Sequence, residues 1–150
     1  MISANSIVDE INRLLVIEFS TAQAHINACP DGFKRPAYLI RCANFERTDA
    51  NRRTVAVSAA FEIIYIPTLN EKTQIVDGAE LLAAQDTILG IFAAGFIKVG
   101  DRRLTIKSTP GKPQTDGTII TIRMDYYDDR PTAADATPKM GTVETKTTLE

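Results

Sequence analysis

The stretch TVAVSAAFEIIYI, residues 54–66, carries the clearest strand pattern in the chain. Large apolar side chains occupy alternate positions, and the positions between them are mostly small or polar. This alternation is typical of a half-buried β-strand, because successive side chains point to opposite faces of a sheet. Residues 37–46, AYLIRCANFE, suit a second strand, and the polar segment RTDANRR between the two predicts a long β-hairpin. In the strand at residues 54–66, the side chains predicted to be buried are Val55, Val57, Ala59, Phe61, Ile63 and Tyr65.

Two helices and further strands are predicted around this hairpin. A first amphipathic helix is expected over residues 6–19, beginning at Ser6, because Ile7, Ile11, Leu14 and Leu15 share one face at helical spacing. A second helix is predicted over residues 71–93. It follows a capping box, Thr68-Leu69-Asn70-Glu71, and its apolar repeat is Ile75, Ala79, Leu82, Leu89 and Phe92. Shorter strands are expected within AQAHINA and at residues 103–108 and 118–127, with turns at 110–113 and 116–117.

The order of these elements predicts an α+β fold. Its mixed or antiparallel sheet contains the long β-hairpin and is covered on one face by two helices. A chain of 150 residues fits one domain, which we assign to residues 1–128. Residues 129–150 contain many Thr and Ala and few large apolar residues. Such a segment buries too little surface to offset its ordering entropy, so a disordered, flexible polar C-terminal tail is expected.

Composition argues against several classes of function. Seventeen Lys and Arg against nineteen Asp and Glu give a net charge of -2, which disfavours nucleic-acid binding through bulk charge. No apolar stretch is long enough for a membrane helix, and no secretory signal is visible. His25 is the single histidine, and Cys29 and Cys42 are expected to be reduced thiols. We therefore predict no catalytic, cofactor-binding or metal site. Asp125, Asp128 and Asp129 are interpreted as a solvated strand end rather than a divalent-cation site.

The most informative charge feature is a basic segment between residues 34 and 53. Six basic residues against two acidic ones, Glu46 and Asp49, give a local charge of +4. Such a patch is able to dock on an acidic partner or a phosphate backbone, although a solvated hairpin explains it equally well. With no catalytic constellation in view, the chain is interpreted as a binding or assembly protein. The basic residues are Lys34, Arg35, Arg41, Arg47, Arg52 and Arg53.

Several segments occur in an order that resembles a known family. They are GFKRPAYLI at 32–40, Asn51-Arg52-Arg53, FEIIYIP at 61–67 and MDYYD at 124–128. Over residues 5–128 the chain resembles the phage tail terminator family of tailed phages, prophages and phage tail-like particles. The resemblance implies a structural virion protein without catalysis or cofactors. It implies a hexameric ring that caps the tail tube, ends its polymerisation and offers a surface for joining the head.

The resemblance also implies partners, a location and an interface. The partners are other copies of the chain, the tail tube protein and head–tail connector or neck proteins, without a membrane or sequence-specific nucleic acid. The location is the tail end of the virion, after assembly in the host bacterial cytoplasm. A strand face of small residues would let neighbours approach closely. The predicted interface residues are Phe33, Lys34, Arg35, Arg47, Asn51, Arg52 and Arg53.

Three other interpretations remain open at the level of sequence. The nearest is another neck component, such as a head-completion or stopper protein. The second is a small α+β domain that binds a ligand or nucleic acid. The third is an enzyme with Cys29 or Cys42 as nucleophile and His25 as base.

Overall fold

The structure, a computed structural model, describes residues 1–131 and 141. Within them the chain forms two helices and a mixed sheet of seven strands. The helices are α1 (Ala4–Glu18) and α2 (Gly78–Ile91). The strands are β1 (Gln23–Ile26), β2 (Ala37–Asp49), β3 (Thr54–Ile66), β4 (Phe96–Val99), β5 (Arg102–Ser108), β6 (Gly111–Pro113) and β7 (Thr118–Asp129).

The long hairpin forms the centre of the sheet, as predicted. The strand order is β1-β2-β3-β7-β5-β4, and β6 also pairs with β7. Only the β1–β2 pair is parallel among the described strands. β2 pairs with β3 from Ala37 opposite Ile66 to Asp49 opposite Val55, with a β-bulge between Cys42 and Asn44. β2 extends past its predicted end at residue 46. Its backbone continues to pair with β3 although the side chains there are polar.

Both helices cover one face of the sheet, which confirms the predicted α+β architecture. The alternating side chains of β3, including Phe61 and Ile63, are buried beneath the helices together with Ile120 and Ile122 of β7. The other face of β3 carries small or polar residues. This one-sided burial accounts for the period-two pattern in the sequence. The buried helix residues are Ile7, Val8, Ile11 and Leu15 in α1, and Leu81, Ala84 and Ile88 in α2.

α1 begins earlier than predicted. Ser3, not Ser6, is the N-cap, and its hydroxyl oxygen accepts a hydrogen bond from the Ser6 N–H at 3.1 Å. The earlier start brings Ile2 into the core, where it is 8% exposed. Burial of Ile2 favours the upstream of two possible serine caps.

The predicted helix over residues 71–93 is too long at both ends. Asn70 closes a turn by accepting the Lys72 N–H, and Leu69 and Val76 form a bridge, so residues 69–76 are not helical. α2 begins after Asp77, whose carboxylate accepts the Ala79 N–H at 3.0 Å. Of the predicted apolar repeat, Phe92 is buried, whereas Ile75 and Leu82 are 66% and 51% exposed.

Two segments form strands that were not predicted. β4, at residues 96–99, lies beyond the predicted end of the second helix at residue 93, and its Ile97 and Val99 are buried and pair with β5. β6, at 111–113, was predicted as a turn and instead pairs with the start of β7. The turn lies after it, where the Gln114 N–H donates to the Gly117 carbonyl at 2.7 Å.

The last strand, β7, extends past its predicted end at residue 127. β7 continues through Asp128 and Asp129, which pair with Val55 and Thr54. Asp129 therefore belongs to the sheet rather than to the expected tail. The rest of that tail, apart from residues 130, 131 and 141, lies outside the described residues. No helix in the described ranges has the length and hydropathy to cross a membrane.

Candidate assembly interface

The predicted interface residues fall at opposite ends of the β2–β3 hairpin. Residues 33–35 precede β2 and lie beside Pro67, which follows β3, while residues 51–53 form the turn that joins the two strands. A strand as long as β2 spans roughly 40 Å at about 3.3 Å per residue. The structure therefore separates the basic segment into two surfaces and does not form one patch from it.

Two of the three side chains at residues 33–35 make contacts within the chain. The Arg35 guanidinium lies 5.5 Å from the centroid of the Phe33 ring and donates to the Pro67 carbonyl at 3.3 Å. Phe33 also meets the His25 ring edge-on, with centroids 6.4 Å apart. Lys34 is exposed between them. Of the three predicted residues, Lys34 offers the side chain most available to a partner.

The hairpin tip is a rigid turn with two exposed arginines. The Asn51 side-chain oxygen accepts the N–H groups of Arg53 and Thr54 at 2.9 and 3.0 Å, so this predicted contact residue holds the turn together. Arg130 crosses the tip, where its N–H donates to the Arg53 carbonyl at 2.8 Å. Arg52 and Arg53 are exposed, and neither forms a salt bridge within residues 1–131. The tip thus presents two guanidinium groups on a fixed backbone.

Arg47 lies away from the tip and serves an internal contact. Its guanidinium is 5.2 Å from the centroid of the Phe45 ring and donates to the Ile2 carbonyl at 3.3 Å. Arg41, also in the basic segment, pairs with Glu62 across the hairpin at 2.5 Å. These contacts reduce the charge that the segment offers to a partner.

Asp128 forms a buried anchor for the start of the chain, which sequence reasoning missed. Its carboxylate is 1% exposed and accepts the Ile2 N–H at 2.7 Å, the Arg102 guanidinium at 2.7 Å and the Asp129 N–H at 2.9 Å. Burial opposes ionisation, but these hydrogen bonds, the N-terminal charge and Arg102 outweigh it and lower the pKa of Asp128. The interpretation of a wholly solvated strand end is therefore wrong at Asp128.

Asp125, by contrast, fits the interpretation of a solvated strand residue. Its carboxylate is exposed and pairs with Lys107 at 2.9 Å. The Lys107 hydrogen bond, with a further contribution from Ser58, lowers the pKa of Asp125. The side chain lies on the face of the sheet opposite the helices, among residues available to a partner.

That outer face contains two open depressions above the small residues of β3. One, of about 360 Å³, includes Ser58 and Ala56 and is bordered by Glu46 and Tyr127. The other, of about 640 Å³, continues over Ala60. Tyr127 is 66% exposed at the border. The small side chains of β3 leave these depressions open to solvent. The second depression is also lined by Asn44, Lys107, Ser108 and Arg123.

Cys42, one of the two thiols considered as a nucleophile, is half-buried in β2. Burial raises the pKa of the Cys42 thiol, which disfavours the thiolate that a nucleophile requires. Cys29 and Cys42 are both free thiols. No three His, Cys, Asp or Glu side chains in residues 1–131 and 141 gather into a possible metal site.

Comparison with protein families identifies the family of the chain. A family model described as "Phage tail terminator protein" matches residues 6–136. The chain belongs to the phage tail terminator family. It is therefore a structural component of a phage tail, in a family not known for enzymatic activity, and it interacts with other tail or neck components.

Other comparisons add little to this assignment. No curated protein matches the chain. One solved structure aligns with 89% of this chain and 99% of its own length, at 13% identity and a TM-score of 0.47. That likeness is too distant to carry an argument.

Proposed function

We propose that this tail terminator assembles as a ring, with a hexamer as the expected form, at the end of the tail tube. The ring stops polymerisation of the tube and presents a surface to the head–tail connector. Its partners are other copies of the chain, the tail tube protein and neck proteins, and it assembles in the host bacterial cytoplasm. The observation that carries this proposal is the rigid hairpin tip with Arg52 and Arg53 exposed.

The shape of the hairpin supports contacts with different neighbours. A ring of identical subunits uses heterologous interfaces, in which one surface meets a different surface of the next copy. The tip and the loop around Lys34 lie at opposite ends of the hairpin, and the small-residue face of β3 lies between them. One subunit is thereby able to contact the tube or a neighbour at each end while the next copy packs along its side.

The proposal predicts that reversing charge at the tip impairs tail completion. In the double variant Arg52→Glu/Arg53→Glu, we expect an unchanged fold, because both side chains are exposed and Asn51 still holds the turn. Electron microscopy should show tails of abnormal length or without a terminator. The matched control is Lys72→Glu/Lys98→Glu, which changes the net charge equally at other exposed positions and should give normal tails.

Two results would argue against this function. Capped tails of normal length from the tip variant would show that the hairpin tip is not needed for tail completion. Locating labelled wild-type protein on the portal side, rather than at the end of the tube, would favour the alternative of a head-completion or stopper protein.

A further inference from the structure

β2 has an open edge over most of its length. β1 pairs only with residues 37–40 of β2, so residues 41–49 have a paired strand on the β3 side alone within the described chain. Beyond the bulge, residues 44–49 keep a regular register with β3. Most side chains of this stretch are exposed. A regular row of backbone N–H and C=O groups therefore faces outward along the half of β2 that leads to the hairpin tip.

Such an edge is a template for an added strand. Its unpaired backbone groups gain hydrogen bonds when another extended segment aligns beside them. The bulge at Cys42 and Asn44 interrupts the row at one end, which leaves residues 44–49 as the length on which regular pairing is possible. Charges at Glu46, Arg47 and Asp49 restrict which segment fits.

The chain leaves the sheet beside this edge. β7 ends at Asp129, and Arg130 then donates to the Arg53 carbonyl and to the Asp49 carboxylate, the latter at 2.5 Å. Arg130 therefore reaches across the tip from β7 to the end of β2. Every copy that forms the ring holds the start of its C-terminal segment at the same end as its open edge.

The sequence of residues 142–149, TVETKTTL, is suited to a strand. Val143, Thr145, Thr147 and Leu149 alternate with a polar set that includes Glu144 and Lys146. β-branched residues dominate the segment and favour an extended backbone. In an antiparallel register with Lys146 opposite Glu46, the polar residues 144, 146 and 148 would lie beside Thr48, Glu46 and Asn44. This register pairs the positive charge of Lys146 with the negative charge of Glu46.

The connecting residues are long enough to reach a neighbouring copy. Pro131 directly follows Arg130, and Pro138 comes before the strand-like segment. Proline fixes φ and favours extended backbone, which favours a connection that leads away from the hairpin tip. Residues 131–141 would span roughly 34 Å if extended at about 3.1 Å each, enough to reach an adjacent subunit.

We propose that residues 142–149 of one copy add a strand, antiparallel, to the open β2 edge at residues 44–49 of the next copy. The inference rests on the proposed ring. Each subunit has one open edge and one C-terminal segment. In a closed ring, every edge therefore receives one segment from a neighbouring copy. The occupant of the edge is thus a second copy of this chain.

Cysteine cross-linking tests the pairing and its register. The background is Cys29→Ser/Cys42→Ser, to which Glu46→Cys is added together with a cysteine at residue 145 or 146. After assembly with the tail tube protein and mild oxidation, Lys146→Cys should give a ladder of covalent oligomers. Thr145→Cys, on the opposite face of the added strand, should react about tenfold more slowly, because a disulfide requires close, facing Cβ atoms.

The controls separate this inference from the proposed function. Lys98→Cys with Lys146→Cys places the first cysteine on β4, the other edge of the sheet, and should give no ladder. Rings seen by mass measurement without a ladder would overturn the exchange and leave the function standing. Equal rates at 145 and 146, or links only within one chain, would also overturn it. Absence of rings under all conditions would defeat both proposals.

Discussion

At the scale of single residues, the least foreseeable feature is the environment of Asp128. One carboxylate joins the start of the chain, the end of β7 and Arg102 of β5, although Ile2 and Asp128 are 126 positions apart. Arg102 also donates to the Tyr127 carbonyl beside it. A buried carboxylate is stable only when its oxygens are matched by donors, and these residues supply them.

Asp128→Asn should destabilise the protein by about 2 kcal/mol, because it leaves Arg102 and the Ile2 N–H poorly matched. Since the folded pKa of Asp128 lies below its ordinary value of 3.8, this stabilisation is present at neutral pH. It is lost as the pH falls through the folded pKa. Urea unfolding should therefore show a difference between variant and wild type that is largest near pH 7 and shrinks in acid.

Asp125→Asn is the matched control on the same strand. Its exposed ion pair with Lys107 should contribute less than about 1 kcal/mol. Equal losses of stability in the two variants would show that the burial of Asp128 does not account for its contribution to stability.

At the scale of elements, the start of α2 shows how a local pattern is overruled. Two possible starts, the predicted capping box at residues 68–71 and Asp77, compete to begin the helix, and the structure selects Asp77. Glu80 of the first turn accepts the Thr68 hydroxyl at 2.5 Å, and burial together with Glu80 raises the pKa of Tyr65 to about 12. Its hydroxyl therefore stays protonated beside that carboxylate. These contacts with the end of β3 exist only after the sheet forms.

Asp77→Ala should lower the unfolding free energy by about 1 kcal/mol, since the Ala79 N–H loses its partner. The midpoint of thermal unfolding should fall by about 2–4 °C. Asp86→Ala, at an exposed position inside the same helix, should leave the midpoint unchanged or slightly higher because alanine favours helix. The stability of a helix that started at the predicted capping box, residues 68–71, would instead not change with Asp77→Ala.

At the scale of the whole molecule, the proposed assembly uses both the folded sheet and the C-terminal residues that follow it. Tip, outer face and open β2 edge all lie on one hairpin, so a single rigid element carries the proposed contacts. A segment that orders only when a partner is present pays its ordering entropy at that moment, which makes ordering a marker of completed assembly.

Limited trypsin digestion should distinguish free from assembled protein after Lys139 and Lys146. We expect rapid cleavage at these residues in the isolated protein and protection in purified tails, because the proposed docking shields the C-terminal segment. Cleavage after residues of the folded sheet, such as Arg123, should be slow in both states. Equal cleavage at Lys146 in both samples would contradict a docking role for the segment.

The sequence by itself determined the long hairpin, the side of β3 that is buried and the first helical stripe. These features depend on repeats of two or near four residues, which neighbours in the chain express directly. The family resemblance, carried by short local segments, was likewise visible and was confirmed by the match over residues 6–136.

Tertiary structure alone decided the rest. It placed Lys34 and Arg52 at opposite ends of the hairpin, turned Arg47 toward Ile2 and buried Asp128. Within the described part of the chain, it also left most of β2 without a strand on its outer edge, because β1 pairs only with residues 37–40. Each of these outcomes depends on strands that pair across long stretches of sequence. Their free energy comes from contacts that no local pattern contains, so a single sequence does not reveal them.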